Sequence, residues 1–201
     1  MRPFIIFEGI ASSGKTTLER MLYEKLEGSV IVSEGQTLMP LIENKESQKV
    51  VEHLSTVLDE IENQPAKTFI VDRFHLTHAF RTHTSLSLFA EIEKRISTKY
   101  KPLVVLLRMD EGVISDRIKE TATLRGTSWA KGKQGSLEEK VAYYKDQQSN
   151  LAELIKQSSL PSVIVDTSDK DWPRCITEIQ NALAGGMRDG NKTERSETAP
   201  Y

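Results

Sequence analysis

The chain has 201 residues, 38% of them hydrophobic and 28% charged, with a formal net charge of −2. That length suits one domain able to bury its own core without disulfide or metal support. The near-neutral balance gives no electrostatic reason to expect nucleic acid or a membrane surface as a partner, and no stretch approaches the roughly 20 apolar residues that span a bilayer.

In chain order, the first element is FIIF at 4–7, a continuous apolar run. Further runs follow: VIV at 30–32, FIV at 69–71, LVVLL at 103–107 and SVIV at 162–165. Runs that are continuous rather than alternating predict strands buried on both faces of a parallel sheet. Residues 47–63 place Val50, Val51, Leu54, Val57, Leu58 and Ile61 at helical spacing, with Ser47 as a candidate cap. Residues 136–157 repeat that spacing. Strand and helix alternate along the chain, so the expected fold is a three-layer α/β/α sandwich on a five-stranded parallel sheet.

The predicted domain spans 1–185. Within it, residues 122–135 carry three glycines and three cations and break the helical period, which predicts a lid-like loop. Residues 186–201 are polar, lack an apolar face and read as a disordered tail. The lone Cys175 excludes an intramolecular disulfide and points to a reducing compartment. The opening apolar run is too short for a secretory signal, so the cytoplasm is the expected location.

Between the first strand and a helical pattern (Leu18, Met21, Leu22, Leu26) lies Gly9-x-x-x-x-Gly14-Lys15-Thr16, the phosphate-binding loop pattern in its proper context. Backbone N–H groups along Gly9, Ala11, Ser12, Ser13, Gly14 and Thr17 are expected to curve around phosphate oxygens at a helix N-terminus. Lys15 is expected to reach the β- and γ-phosphates, and Thr16 to ligate Mg²⁺. The base-reading Asn-Lys-x-Asp of a regulatory GTPase is missing, since Asn44-Lys45-Glu46 lacks the aspartate. A small phosphoryl transferase using ATP and Mg²⁺ fits better.

Asp72 and Arg73 end the third strand at the edge where open α/β sheets bind ligands. Asp72 is a candidate for the Mg²⁺ shell, Arg73 for the transferred phosphoryl or the acceptor; a surface ion pair is the plainer reading. Glu34, after the second strand, is a candidate base for an acceptor hydroxyl or a helix-capping carboxylate. His75, His78, Arg81 and His83 follow the Asp-Arg pair. They lack the extra ligands a zinc site wants, and His75 or Arg81 are candidates for acceptor recognition. Trp129 is placed to cover a bound base, Trp172 reads as packing at the start of the last helix, and Tyr143 and Tyr144 read as helix packing.

FEGIASSGKTT, Asp72-Arg73-Phe74 with LTHAF, and VDTSD at 165–169 resemble the thymidylate kinases and their relatives the deoxynucleoside kinases, over about residues 3 to 183. The resemblance implies a lid that closes over the phosphates and supplies cations, here Arg117, Arg125, Lys131 and Lys133. It places adenine near Arg117 and the Asp166–Ser168 turn. The acceptor implied is a nucleotide or nucleoside, and relatives are often dimers, so a homodimer is an expectation.

The chain departs from the thymidylate kinases at Ala11, at Ser33-Glu34-Gly35, and in having no arginine in 47–63; it departs from the deoxynucleoside kinases at Phe74. These departures leave open a kinase of another hydroxylated metabolite or antibiotic. A nucleotide-dependent binding module without transferase activity is also left open.

Overall fold

The computed structural model describes residues 1–38, 47–125 and 135–185. Five strands, β1 (Arg2–Gly9), β2 (Ser29–Val32), β3 (Thr68–Asp72), β4 (Tyr100–Arg108) and β5 (Ser162–Asp166), form one sheet in the order β2-β3-β1-β4-β5. Every pairing is parallel, as continuous apolar runs predict. β4 begins three residues before its apolar run, with Pro102 beside Phe4 in the register.

The helices are α1 (Lys15–Lys25), α2 (Glu34–Thr37), α3 (Ser47–Glu62), α4 (His75–Thr82), α5 (Ala90–Lys99), α6 (Ile114–Arg125), α7 (Leu137–Gln157) and α8 (Trp172–Gly185). A 3₁₀ turn, Leu86–Phe89, joins α4 to α5. Ser136 caps α7 in a reciprocal box with Glu139.

Successive side chains of a strand point to opposite faces, and β1 divides its residues accordingly. Phe4 and Ile6 enter one buried cluster with α3, α4, α5 and α7, through residues such as Leu54, Leu76, Ile96 and Leu151. Ile5 and Phe7 enter another, closed by Leu18 and Leu22 of α1 and by Cys175, Ile176 and Ile179 of α8. This is the three-layer sandwich. A smaller cluster of Ile10, Met109, Ile114, Ile118 and Tyr144 seats α6 beside the loop after β1.

The chain leaves β1 toward β2 on one side, while β4 lies on the other, so the strand order reverses at β1. Crevices at the carboxyl ends of the strands form at such a reversal. No helix among the described residues is long and apolar enough to cross a membrane.

Candidate active site

The loop that leaves β1 at Gly9 enters α1 at Lys15 through two positions that demand glycine. Gly9 has φ +142° and a Cβ there would stand 2.8 Å from the Leu107 carbonyl oxygen; Gly14 has φ +96° and a Cβ would stand 2.6 Å from the Trp172 ring. Gly14 is the N-cap of α1 and no side chain caps the helix, so its first N–H groups are left to the loop. Lys15 is 7% exposed and folds back, donating to the carbonyls of Gly9 at 3.1 Å and Ile10 at 3.0 Å. Burial, and then the charge of Arg73, lower its pKa to about 7.

The residue before Gly9 fixes the other wall. Glu8 is fully buried, and its carboxylate accepts from the N–H groups of Phe74 at 2.9 Å and Thr77 at 3.3 Å and from the Thr77 hydroxyl. It is the anion at the N-terminus of α4. Arg73 lies between β3 and α4 with φ 59°, its N–H on the Phe7 carbonyl at 2.8 Å and its Nη1 on the Gly9 carbonyl at 2.9 Å. Its Nε is 3.0 Å from Glu34 Oε1, and Arg81 Nη2 lies 3.9 Å from that same oxygen.

Glu34 opens α2, which is held from three sides. Ser33 and Gln36 form a capping box, the Thr37 hydroxyl donates to the Asp72 carbonyl at 2.8 Å, and His78 Nε2 donates to the Thr37 carbonyl at 2.8 Å. Burial lowers the His78 pKa, which favours the neutral ring this bond uses. The Glu34 carboxylate is thereby an ion-pair partner of Arg73 as well as a helix-terminus anion.

Asp72 is buried and its Oδ1 has no hydrogen-bond partner among the described residues. The Glu19 carboxyl, 3% exposed, lies against it from α1, and burial raises the pKa of both. This unpartnered carboxylate oxygen and the Thr16 hydroxyl, on residues that line one cavity, are oxygen donors of the kind a Mg²⁺ ion takes.

The loop, β3 and α6 surround a cavity of about 490 Å³. Glu34, Asp72, Arg73 and Arg81 line it on the β3 side, and Arg117, Arg125, Glu120, Lys170 and Trp172 on the β5 side. Arg117 donates to the Thr167 carbonyl at 3.2 Å and stands 5.3 Å over the Trp172 ring. Asp166 and Ser168 do not line the cavity. The Asp166 carboxylate accepts the Ser168 N–H at 2.7 Å, and the Ser168 hydroxyl accepts the Asp110 N–H at 2.8 Å, so they build the turn that presents Thr167.

The structure thus brings Ala11, Ser12, Gly14, Lys15, Thr16, Thr17, Glu34, Asp72, Arg73, Arg117 and Arg125 to one cavity, with Gly9 and the buried Ser13 shaping the loop behind it. Lys131, Lys133 and Trp129 lie outside the described residues. Besides Asp166 and Ser168, two expectations change. His75 is fully buried, with Nε2 2.9 Å from Glu93, and is remote from acceptor recognition. Trp172 packs as expected but also walls the cavity. Glu19 was not anticipated, although its place four residues after Lys15 puts it on the same helix face.

No family model matches the chain. The thymidylate kinase of Wolbachia pipientis subsp. Culex pipiens (strain wPip) is 26% identical over 211 residues, covering 90% of this chain and 95% of that protein. Among solved structures, the YorR protein of Bacillus subtilis, crystallised with phosphorylated GDP, superposes with a TM-score of 0.63 at 19% identity, over 92% of this chain and 99% of its own. A deoxyadenosine kinase from M. mycoides, with dCMP and dCDP bound, gives 0.52 at 18% identity over 90% and 99%. The fold is that of the P-loop kinases, and the likeness to kinases indicates a phosphotransferase. Within that fold the chain is similar in sequence to a thymidylate kinase and in structure to a deoxyadenosine kinase.

Proposed function

We propose that the chain transfers the γ-phosphoryl group of ATP to a hydroxyl of a nucleoside or nucleotide, with an acceptor of the deoxynucleoside type fitting best. One observation carries this reading: the Glu34 carboxylate faces the phosphate-loop cavity, held 3.0 Å from Arg73 Nε. A carboxylate there serves an acceptor hydroxyl as base.

In this mechanism the loop N–H groups and Lys15 hold the β- and γ-phosphates, Lys15 exchanging its two carbonyl partners for phosphate oxygens. Glu34 takes the proton of the acceptor hydroxyl. The oxygen's electron pair forms the new bond to phosphorus while the bond to the β–γ bridging oxygen breaks, and ADP leaves with the electron pair of the broken bond. Arg73, Arg117 and Arg125 offset the charge carried by the transferred group. Thr16 and Asp72 are the residues that would hold Mg²⁺, which supplies charge neutralisation at the phosphates. The donor base lies toward Arg117 and Trp172, whose stacked pair walls that side of the cavity.

The test is Glu34→Gln assayed with ATP on the four common deoxynucleosides. Turnover should fall on the order of 100-fold or more, with the KM for ATP close to that of the parent chain. Equal turnover by the variant would remove Glu34 from the chemistry.

A further inference from the structure

We infer that Arg81 is the acceptor-side phosphate clamp of this site: it grips the phosphate carried by the acceptor once transfer has occurred. The inference rests on the phosphoryl-transfer reading above. An acceptor product bears a dianionic phosphate that must be held on the side of the cavity away from the ADP. Helix α3, which packs against α4, contains no arginine to do this.

Arg81, in the last turn of α4, lines the same cavity as Lys15 and Arg73. Among the described residues, its nearest anionic partner is Glu34 Oε1 at 3.9 Å, an oxygen already engaged by Arg73 at 3.0 Å. Two guanidinium groups therefore share one carboxylate. Arg73 has two further anchors, its N–H on the Phe7 carbonyl and its Nη1 on the Gly9 carbonyl, whereas among the described residues Arg81 has only the long contact. Burial, followed by the charge of Arg73, lowers the pKa of Arg81, as expected where a cation lacks full compensation.

A desolvated guanidinium with half a partner is poised to accept another anion, and its planar fork suits a phosphate. The side chain is 27% exposed, so the group reaches an incoming ligand without unfolding α4. Arg73 keeps Glu34 in place while Arg81 moves.

The experiment is titration calorimetry of the ADP-bound chain with the four common deoxynucleosides and their 5′-monophosphates. The parent chain should bind at least one monophosphate more tightly than its nucleoside. Arg81→Gln should weaken that monophosphate about tenfold or more while leaving the nucleoside and ADP within about twofold, and Arg81→Lys should recover part of the loss. Arg81→Gln binding the monophosphate as the parent does would overturn the inference. Equal losses for nucleoside and monophosphate would also overturn it, by showing a structural role. If the parent chain binds none of the eight compounds, the nucleoside and nucleotide reading falls, and the clamp with it.

Discussion

Arg73 Nη1 donates to the carbonyl oxygen of Gly9 at 2.9 Å, tying the end of β3 to the first residue of the phosphate loop. The same guanidinium places its Nε on Glu34, so one side chain sets the distance between the loop and the candidate base. A lysine's compact ammonium lacks the fixed fork whose separate nitrogens reach these two partners. Arg73→Lys should therefore lower kcat about 100-fold through misplacement of Glu34, with a loss of only about 1–2 kcal/mol in stability. Steady-state kinetics and urea midpoints on one preparation check this.

The contact between Gly14 and Trp172 gives a second prediction. A Cβ at Gly14 would meet the indole at 2.6 and 2.7 Å, and φ +96° disfavours any other residue. Gly14→Ala should cost about 2 kcal/mol or more. Removing the ring in Gly14→Ala/Trp172→Ala should return the steric part and leave the backbone part. A double-mutant cycle should thus give a coupling of about 1 kcal/mol, and additivity would contradict the account.

Glu8 serves three buried donors at the start of α4, one from Phe74 and two from Thr77. Glu8→Ala strands them and should destabilise the chain by about 3 kcal/mol, whereas Glu8→Gln keeps an acceptor and should cost less than half of that. Because α4 begins two residues after Arg73, Glu8→Ala should also reduce phosphoryl transfer more than an equally destabilising core change elsewhere. Chemical denaturation and activity measured side by side separate the two.

Glu93 supplies the pH dependence. Burial pushes its pKa up, but hydrogen bonds from His75, Ser158 and Ser159 outweigh this and hold it at about 2, against an ordinary 4.5. A folded pKa below the unfolded one gives stability that is fully present above pH 4.5 and is lost as pH falls toward 2. Glu93→Gln should therefore cost about 2–3 kcal/mol at pH 7 and little near pH 2.5, read from urea midpoints at each pH. An equal cost at both values would contradict the assignment.

Much of the sheet and the phosphate loop could be read from local pattern, because a strand buried on both faces and a glycine-lysine turn each leave a contiguous signature. The helices α4 and α5 could not. In α4 the buried positions His75, Thr77 and His78 are polar, and they are satisfied by Glu93, Glu8 and Thr37, partners between 18 and 69 residues away in sequence. Hydrophobic periodicity does not register such residues. The start of β4 was hidden for a similar reason: Tyr100 is buried through its packing on Phe4 and Phe69, but Lys101 and Pro102 separate it from the apolar run.

At the site, position along the strands was enough to nominate Asp72, Arg73 and Glu34, since the carboxyl ends of parallel strands converge. The dual role of Glu34 was not legible, because it depends on α2 being pinned by Thr37 and His78. Nor was the Glu19 carboxyl against Asp72, which needs the packing of α1 on β3.

The most direct measurement is ATP consumption with Mg²⁺ across a panel of nucleosides and nucleoside monophosphates, comparing the parent chain with Lys15→Ala. The account predicts turnover with a hydroxyl-bearing deoxynucleoside acceptor, lost by about 100-fold or more when Lys15 is removed. ATP binding without turnover on any member of the panel would contradict it.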